Sequence, residues 1–157
     1  MSGKLTLREA REIIGRAVEK SLEVEWISAY AVADEGGNII SISRCDGAPA
    51  AAVPLARSKA YLAALTGNTS MPFEHDVETH PVRFHGWQAV LPRALFGGPG
   101  AVPIKRDRQT IGGFSSSVSY AATGMQKTIG GKQYSREELV TAHALQIPYD
   151  DQHPDQP

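Results

Sequence analysis

The sequence predicts an α+β fold in which an antiparallel sheet carries helices on its faces. Three observations lead there. Residues 6 to 21 hold one apolar stripe at helical spacing, and residues 24 to 44 read as two strands around a Gly-rich turn. A second pair of strand-like runs, 102–105 and 110–120, follows a helix built from small residues. The order α-ββ-α-(irregular)-ββ-α joins hairpins by helices, which gives antiparallel pairing and a layered α+β domain.

The first helix opens at Thr6. Glu9, three residues on, completes a capping-box pattern in which each side chain satisfies the other's free backbone N–H. Leu7, Ala10, Ile13, Ile14, Ala17, Val18 and Leu22 supply the apolar face, and Arg8, Glu12, Arg16, Glu19 and Lys20 the wet one. Val24, Trp26, Ile27, Tyr30 and Val32 are strand formers. Asp34-Glu35-Gly36-Gly37-Asn38 is turn chemistry, since Gly and Asn tolerate positive φ, and Ile40 and Ile42 then alternate with Ser41 and Ser43. Residues 50 to 65 predict a second helix, with Pro54 in its first turn and Gly67 as its C-cap. Residues 68 to 88, with Pro72, Pro81 and three histidines, are expected to be irregular. Gly97-Gly98-Pro99-Gly100 predicts a tight turn and Arg106-Asp107-Arg108-Gln109 a hairpin turn. Residues 122 to 134 read as loop. Ser135 and Glu138 repeat the capping signature ahead of a last helix ending near Leu145.

Length and charge bound what such a protein does. The 157 residues suit one domain, read as 1–149, with a polar, Pro-rich tail over 150–157. Seventeen acids against sixteen bases give a net charge of −1, which argues against a nucleic-acid partner. No apolar run reaches the roughly 18 residues of a membrane span. The N-terminal residues pass straight into an amphipathic pattern without the apolar core of a signal peptide, so the expected location is the cytoplasm. A single cysteine, Cys45, excludes an intrachain disulfide framework and reads as an inert half-buried thiol.

Three stretches carry a family resemblance: Ala31-Val32-Ala33-Asp34-Glu35-Gly36-Gly37-Asn38, then Arg44-Cys45-Asp46-Gly47-Ala48, then Ala56-Arg57-Ser58-Lys59-Ala60. With the later Phe96-Gly97-Gly98-Pro99-Gly100 turn, Val102-Pro103-Ile104 and Thr110-Ile111-Gly112-Gly113-Phe114-Ser115, they resemble the GlcG/HbpS family of small heme-binding-type proteins over about residues 5 to 120. The family is also related to the C-terminal domain of PduO-type proteins. The resemblance implies a five-stranded antiparallel sheet flanked by helices, a profilin-like arrangement, in compact homo-oligomers. It implies heme or another small molecule as ligand. The chain departs from the family pattern at Pro99-Gly100-Ala101, at Phe114-Ser115-Ser116-Ser117, and over residues 119–134, which look like an insertion. Some heme-binding relatives use a histidine in or near the first helix, whereas the earliest histidine here is His75.

Candidate chemistry gathers in four places. His75, His80 and His85 recur every five residues. Five residues turn an ideal helix by about 500°, and odd spacing puts strand neighbours on opposite faces, so no metal site is expected. His80 and His85 are instead candidates for proton transfer. Arg44 can fork onto a ligand carboxylate, with Asp46 beside it, or the two can pair with each other to close the hairpin end. Lys59 can hold an anion or lay its stem along apolar surface. Gly97 and Gly98 in the turn and Ser115 on the strand are candidate ligand contacts. Gly130-Gly131-Lys132-Gln133 is no phosphate loop, because Gln133 stands where Ser or Thr must meet magnesium.

Two functions follow as expectations. One is a small catabolic enzyme acting on an unsaturated or amino-substituted carboxylic acid by hydrolysis, deamination or proton transfer. The other is a non-enzymatic binding or sensor protein for heme or another tetrapyrrole. Both take a small-molecule ligand, anionic in the first case. Ala56, Ala60, Ala63 and Ala64 permit close approach of another backbone, and a partner chain in a homo-oligomer is the expected one.

Overall fold

In the computed structural model, which describes residues 3–117 and 124–148, eleven elements follow one another. They are α1 (Leu7–Val24), β1 (Ala29–Asp34), β2 (Ile39–Arg44), α2 (Ala52–Thr66), α3 (Met71–Thr79), α4 (Pro81–Val90), β3 (Ala101–Arg106), β4 (Gln109–Ser117), β5 (Gln126–Ile129), β6 (Lys132–Ser135) and α5 (Arg136–Leu145). β2-β1-β4-β3 form one antiparallel sheet, and β5-β6 a separate hairpin. The predicted α+β class and its helix-flanked antiparallel sheet are there. The described strands divide as four plus two. The tail over 150–157 lies outside the described residues, as does the end of the run 110–120.

Strand periodicity sorts the two faces of the sheet by size. Tyr30 and Val32 point to one face, where they pack with Val24, Trp26, Phe114 and Val140 beneath α1 and α5. Ala29, Ala31 and Ala33 point to the other, against Ala52, Ala56 and Ala60 of α2. Small residues on both sides let α2 lie close. A side chain at Gly113 of β4 would overlap the Ala60 carbonyl and come within 2.8 Å of the Ala64 backbone nitrogen. The backbone that the Ala-rich helix approaches is therefore this chain's own β4, and Ala60 is fully buried within the protomer. The small-residue stripe does not speak for a partner chain.

Two segments differ from the sequence reading. Residues 68 to 88 are not irregular: they form α3 and α4, with His80 at the junction. Pro72 and Pro81 sit in the first turns, where the missing N–H removes no helical bond, so they start helices instead of breaking one. The described part of the stretch 122–134, read as loop, holds β5 and most of β6, with Gly130 and Gly131 at positive φ in the turn between them. Elsewhere local signals held. Thr6 and Glu9 form the full capping box, Ser135 accepts from the Glu138 N–H, and Gly67 caps α2 in the left-handed region.

Candidate functional site

Lys59 projects from α2, a helix whose other inward residues are mostly alanine, and its side chain is about 5% exposed. An ammonium carries three donors. All three are used: Nζ donates to the Pro99 carbonyl at 2.5 Å, the Ser116 carbonyl at 2.6 Å and Glu137 Oε1 at 3.2 Å. One buried cation thus ties α2 to the Gly-rich turn, to β4 and to the first turn of α5. A buried ion pair tolerates its desolvation only with such further hydrogen bonds.

The carboxyl partner is equally enclosed. Burial pushes the Glu137 carboxyl above the usual carboxylate range, opposed by the Lys59 charge and hydrogen bond, with Glu138 adding a smaller upward push. Gly100, at φ +94°, permits this crowding, since a side chain there would overlap Glu137 and lie 2.7 Å from the Ser116 carbonyl. Ser70 pins the turn from below: its hydroxyl donates to the Gly98 carbonyl at 2.5 Å, and the Gly98 N–H donates to the Ser70 carbonyl at 3.2 Å. Beside the pair, Trp26 Nε1 donates to Ser116 Oγ at 3.1 Å, and the Ser28 and Ser116 hydroxyls share a bond at 3.0 Å.

Over this floor opens a cleft of about 440 Å³, within the range of small-ligand sites. Its walls are Trp26, Ala51, Leu55, Phe96, Pro99 and Met125, and its polar end is Lys59, Gly98, Ser117 and Glu137. Phe96 and Met125 are each 45% exposed. Large apolar side chains left open around a concavity are a mark of binding surface.

Of the residues singled out in the sequence, the fold brings Lys59 and Gly98 to this cleft. Lys59 arrives with its donors already occupied. Ser115 is fully buried and donates to the Ala56 carbonyl at 2.5 Å, so its hydroxyl fastens α2 to β4. Gly97 lies against the α3 backbone, where a side chain would come within 2.6 Å of the Glu74 nitrogen. Arg44 and Asp46 are exposed at the end of β2, with no ion pair between them among the described residues. His80 is exposed at the α3–α4 junction, 2.9 Å from the Thr79 hydroxyl, and His85 is exposed on α4. Neither lines the cleft.

Sequence reasoning missed Glu137, Phe96 and Met125 as site residues. Glu137 reads locally as an acid that suits a helix N-terminus. Its partner is 78 residues away, a separation that no local pattern reports.

Comparison with known proteins agrees with this geometry at the level of fold. Residues 5–122 match the family described as "Haem degrading protein HbpS-like". Protein GlcG of Escherichia coli is 32% identical over 108 residues, 69% of this chain and 77% of GlcG. Among solved structures, Klebsiella pneumoniae ORFY superposes with a TM-score of 0.70 at 20% identity, over 93% of this chain and 92% of that one. A PduOC–heme complex gives 0.70 at 17% identity, over 92% and 94%. A double mutant of Streptomyces reticuli HbpS gives 0.70 at 20% identity, over 94% and 90%. Among the described residues no helix is long and apolar enough to cross a membrane.

Proposed function

Because this chain belongs to the HbpS-like family, we propose that it is a small-molecule-binding protein whose site is the cleft between α2, the Phe96–Gly100 turn and α5. The observation that carries this is the composition of the cleft: apolar walls, including Leu55, Phe96 and Met125, above a polar end whose ion pair is already satisfied. Such a site holds an apolar body and fixes its orientation with few polar contacts. The carboxylic-acid enzyme reading has less support. The groups meant to hold carboxylates, Arg44 and Lys59, are respectively away from the cleft lining and saturated, and His80 and His85 do not line it either.

Heme is the ligand of the PduOC complex, and it tests the cleft. Heme iron takes His, Cys, Met or Tyr as protein ligand. Among the described lining residues Met125 is the one of those types, and Lys59 has no donor left for a propionate. The described lining residues thus offer the iron a single thioether and the propionates no free ammonium. Added hemin is expected to bind weakly, without a sharp six-coordinate Soret band. Tight stoichiometric binding with a defined axial ligand would restore the heme reading.

A second reading rests on Glu137, whose burial at the cleft end keeps its carboxyl prone to hold a proton. It would make the protein an enzyme that moves a proton on a bound molecule. The exposed Val82 and Val90 of α4 support a homo-oligomer.

The test of the site is obstruction. Small aromatic molecules should raise the thermal midpoint of the wild type, and Leu55→Arg should abolish that shift with the ligand-free midpoint little changed. Shifts that persist in Leu55→Arg would move the site elsewhere.

A further inference from the structure

The hydrogen bonds at the floor of the cleft say which charge it will admit. Two side-chain cations lie near its polar end, and each is already engaged. Lys59 spends its three donors on Pro99, Ser116 and Glu137. The Arg136 guanidinium donates to the Val24 and Gln126 carbonyls and lies 3.7 Å from Glu25. In the first turn of α5, the Arg136 N–H donates to the Met125 carbonyl and the Glu138 N–H to Ser135 Oγ. The acceptors are less fully used. Glu137 gives Oε1 to Lys59, and no described residue donates to Oε2. The Ser117 hydroxyl can donate or accept.

From this inventory we infer that the cleft selects an uncharged aromatic molecule carrying a hydrogen-bond donor, such as a carboxamide, and rejects the corresponding carboxylate. The inference rests on the cleft being the ligand site. A carboxylate seated there would lose its hydration, lie beside the buried Glu137 carboxyl and find no side-chain cation free among the described lining residues to replace the lost water. A carboxamide offers an N–H to Glu137 Oε2 and a carbonyl to the Ser117 hydroxyl, and its ring lies against Leu55, Phe96 and Met125. Binding leaves the Lys59 bonds intact.

The experiment uses three probes of one shape, 2-naphthamide, 2-naphthoate and naphthalene, titrated against the full chain at neutral pH with calorimetric detection. The amide should bind tightest, and the carboxylate about tenfold or more weaker, because its unpaired charge must be desolvated. Leu55→Arg, which blocks the cleft, should bind none of them. Glu137→Gln, if folded by its thermal midpoint, should narrow the gap between amide and carboxylate. The wild-type ranking decides the matter if that variant does not fold. Equal or tighter binding of naphthoate, lost in Leu55→Arg, would overturn the charge selection while leaving the cleft as the site. Binding unchanged in Leu55→Arg, or no binding of any probe to the wild type, would overturn both.

Discussion

The α2 side of the sheet and the α3–α4 hairpin are built on opposite plans. Against the sheet, α2 is dry and close: Ala52, Ala56 and Ala60 are fully buried, and Ser115 and Lys59 bond across to neighbouring elements. No residue of α4 is buried, and Val82 and Val90 are 87% and 80% exposed. The hairpin is held by a forked Arg83–Asp76 pair, by the edge of Phe73 on Trp87 at 5.3 Å, and by Gln88 donating to the Leu95 carbonyl. Conspicuous side chains are thus not where the built site is. The three histidines of residues 75–85 ride on the loosely packed hairpin, while the cleft rests on the rigid side, where each polar group is positioned by packing around it.

Substitutions on the two sides should separate accordingly, and the largest loss is expected at Gly113. Gly113→Val would force the β4 backbone away from the Ala60 carbonyl, and the protein should fail to accumulate in folded form. A thermal midpoint within a few degrees of wild type would show that α2 is less tightly seated than described. Ala60→Glu belongs to the same class: it should unfold the protomer, not dissociate an oligomer, and folded monomers in light scattering would say otherwise.

Next comes the ion pair. Lys59→Met strands a buried carboxyl and should cost about 3–5 kcal/mol in urea denaturation. The double variant Lys59→Met/Glu137→Leu should recover part of that loss, since the buried charge goes but the Pro99 and Ser116 carbonyls remain unpaired. A double variant no better than the single one would mean that the bonds to the carbonyls, not the pair, carry the effect.

A smaller effect follows from pH. Burial holds the Glu137 carboxyl above its ordinary value of 4.5, so the folded state binds that proton more tightly than the unfolded one. Its stabilising contribution is complete below the unfolded value and is lost as pH rises through the folded value. The stability of wild type relative to Glu137→Gln should therefore fall as pH rises above the ordinary carboxyl value of 4.5. A difference that is flat, or that grows with pH, would show that Lys59 outweighs burial.

The smallest changes are expected on the hairpin. His80→Ala and His85→Ala should leave stability within about 0.5 kcal/mol and leave probe binding at the cleft unchanged. Loss of binding in either variant would bring the hairpin back into the site and erase the contrast between the two regions.

Periodicity and capping alone were enough for much of this fold. The stripe of α1, the alternation of Ile40 and Ile42, and the Thr6–Glu9 box are local, and local patterns survive folding when the tertiary environment agrees with them. The same local reading failed at Pro72 and Pro81, because a proline that breaks a helix and one that starts it differ only in where the helix lies. Lys59 was legible as a residue of interest but not as a saturated one. Its three acceptors come from residues 40, 57 and 78 positions away, and only the packing of α2, the turn, β4 and α5 brings them to one nitrogen. Element type was thus determined by the order of residues along the chain. Which charges remain free to meet a ligand was decided by tertiary structure, because hydrogen-bond saturation depends on distances that sequence separation does not encode.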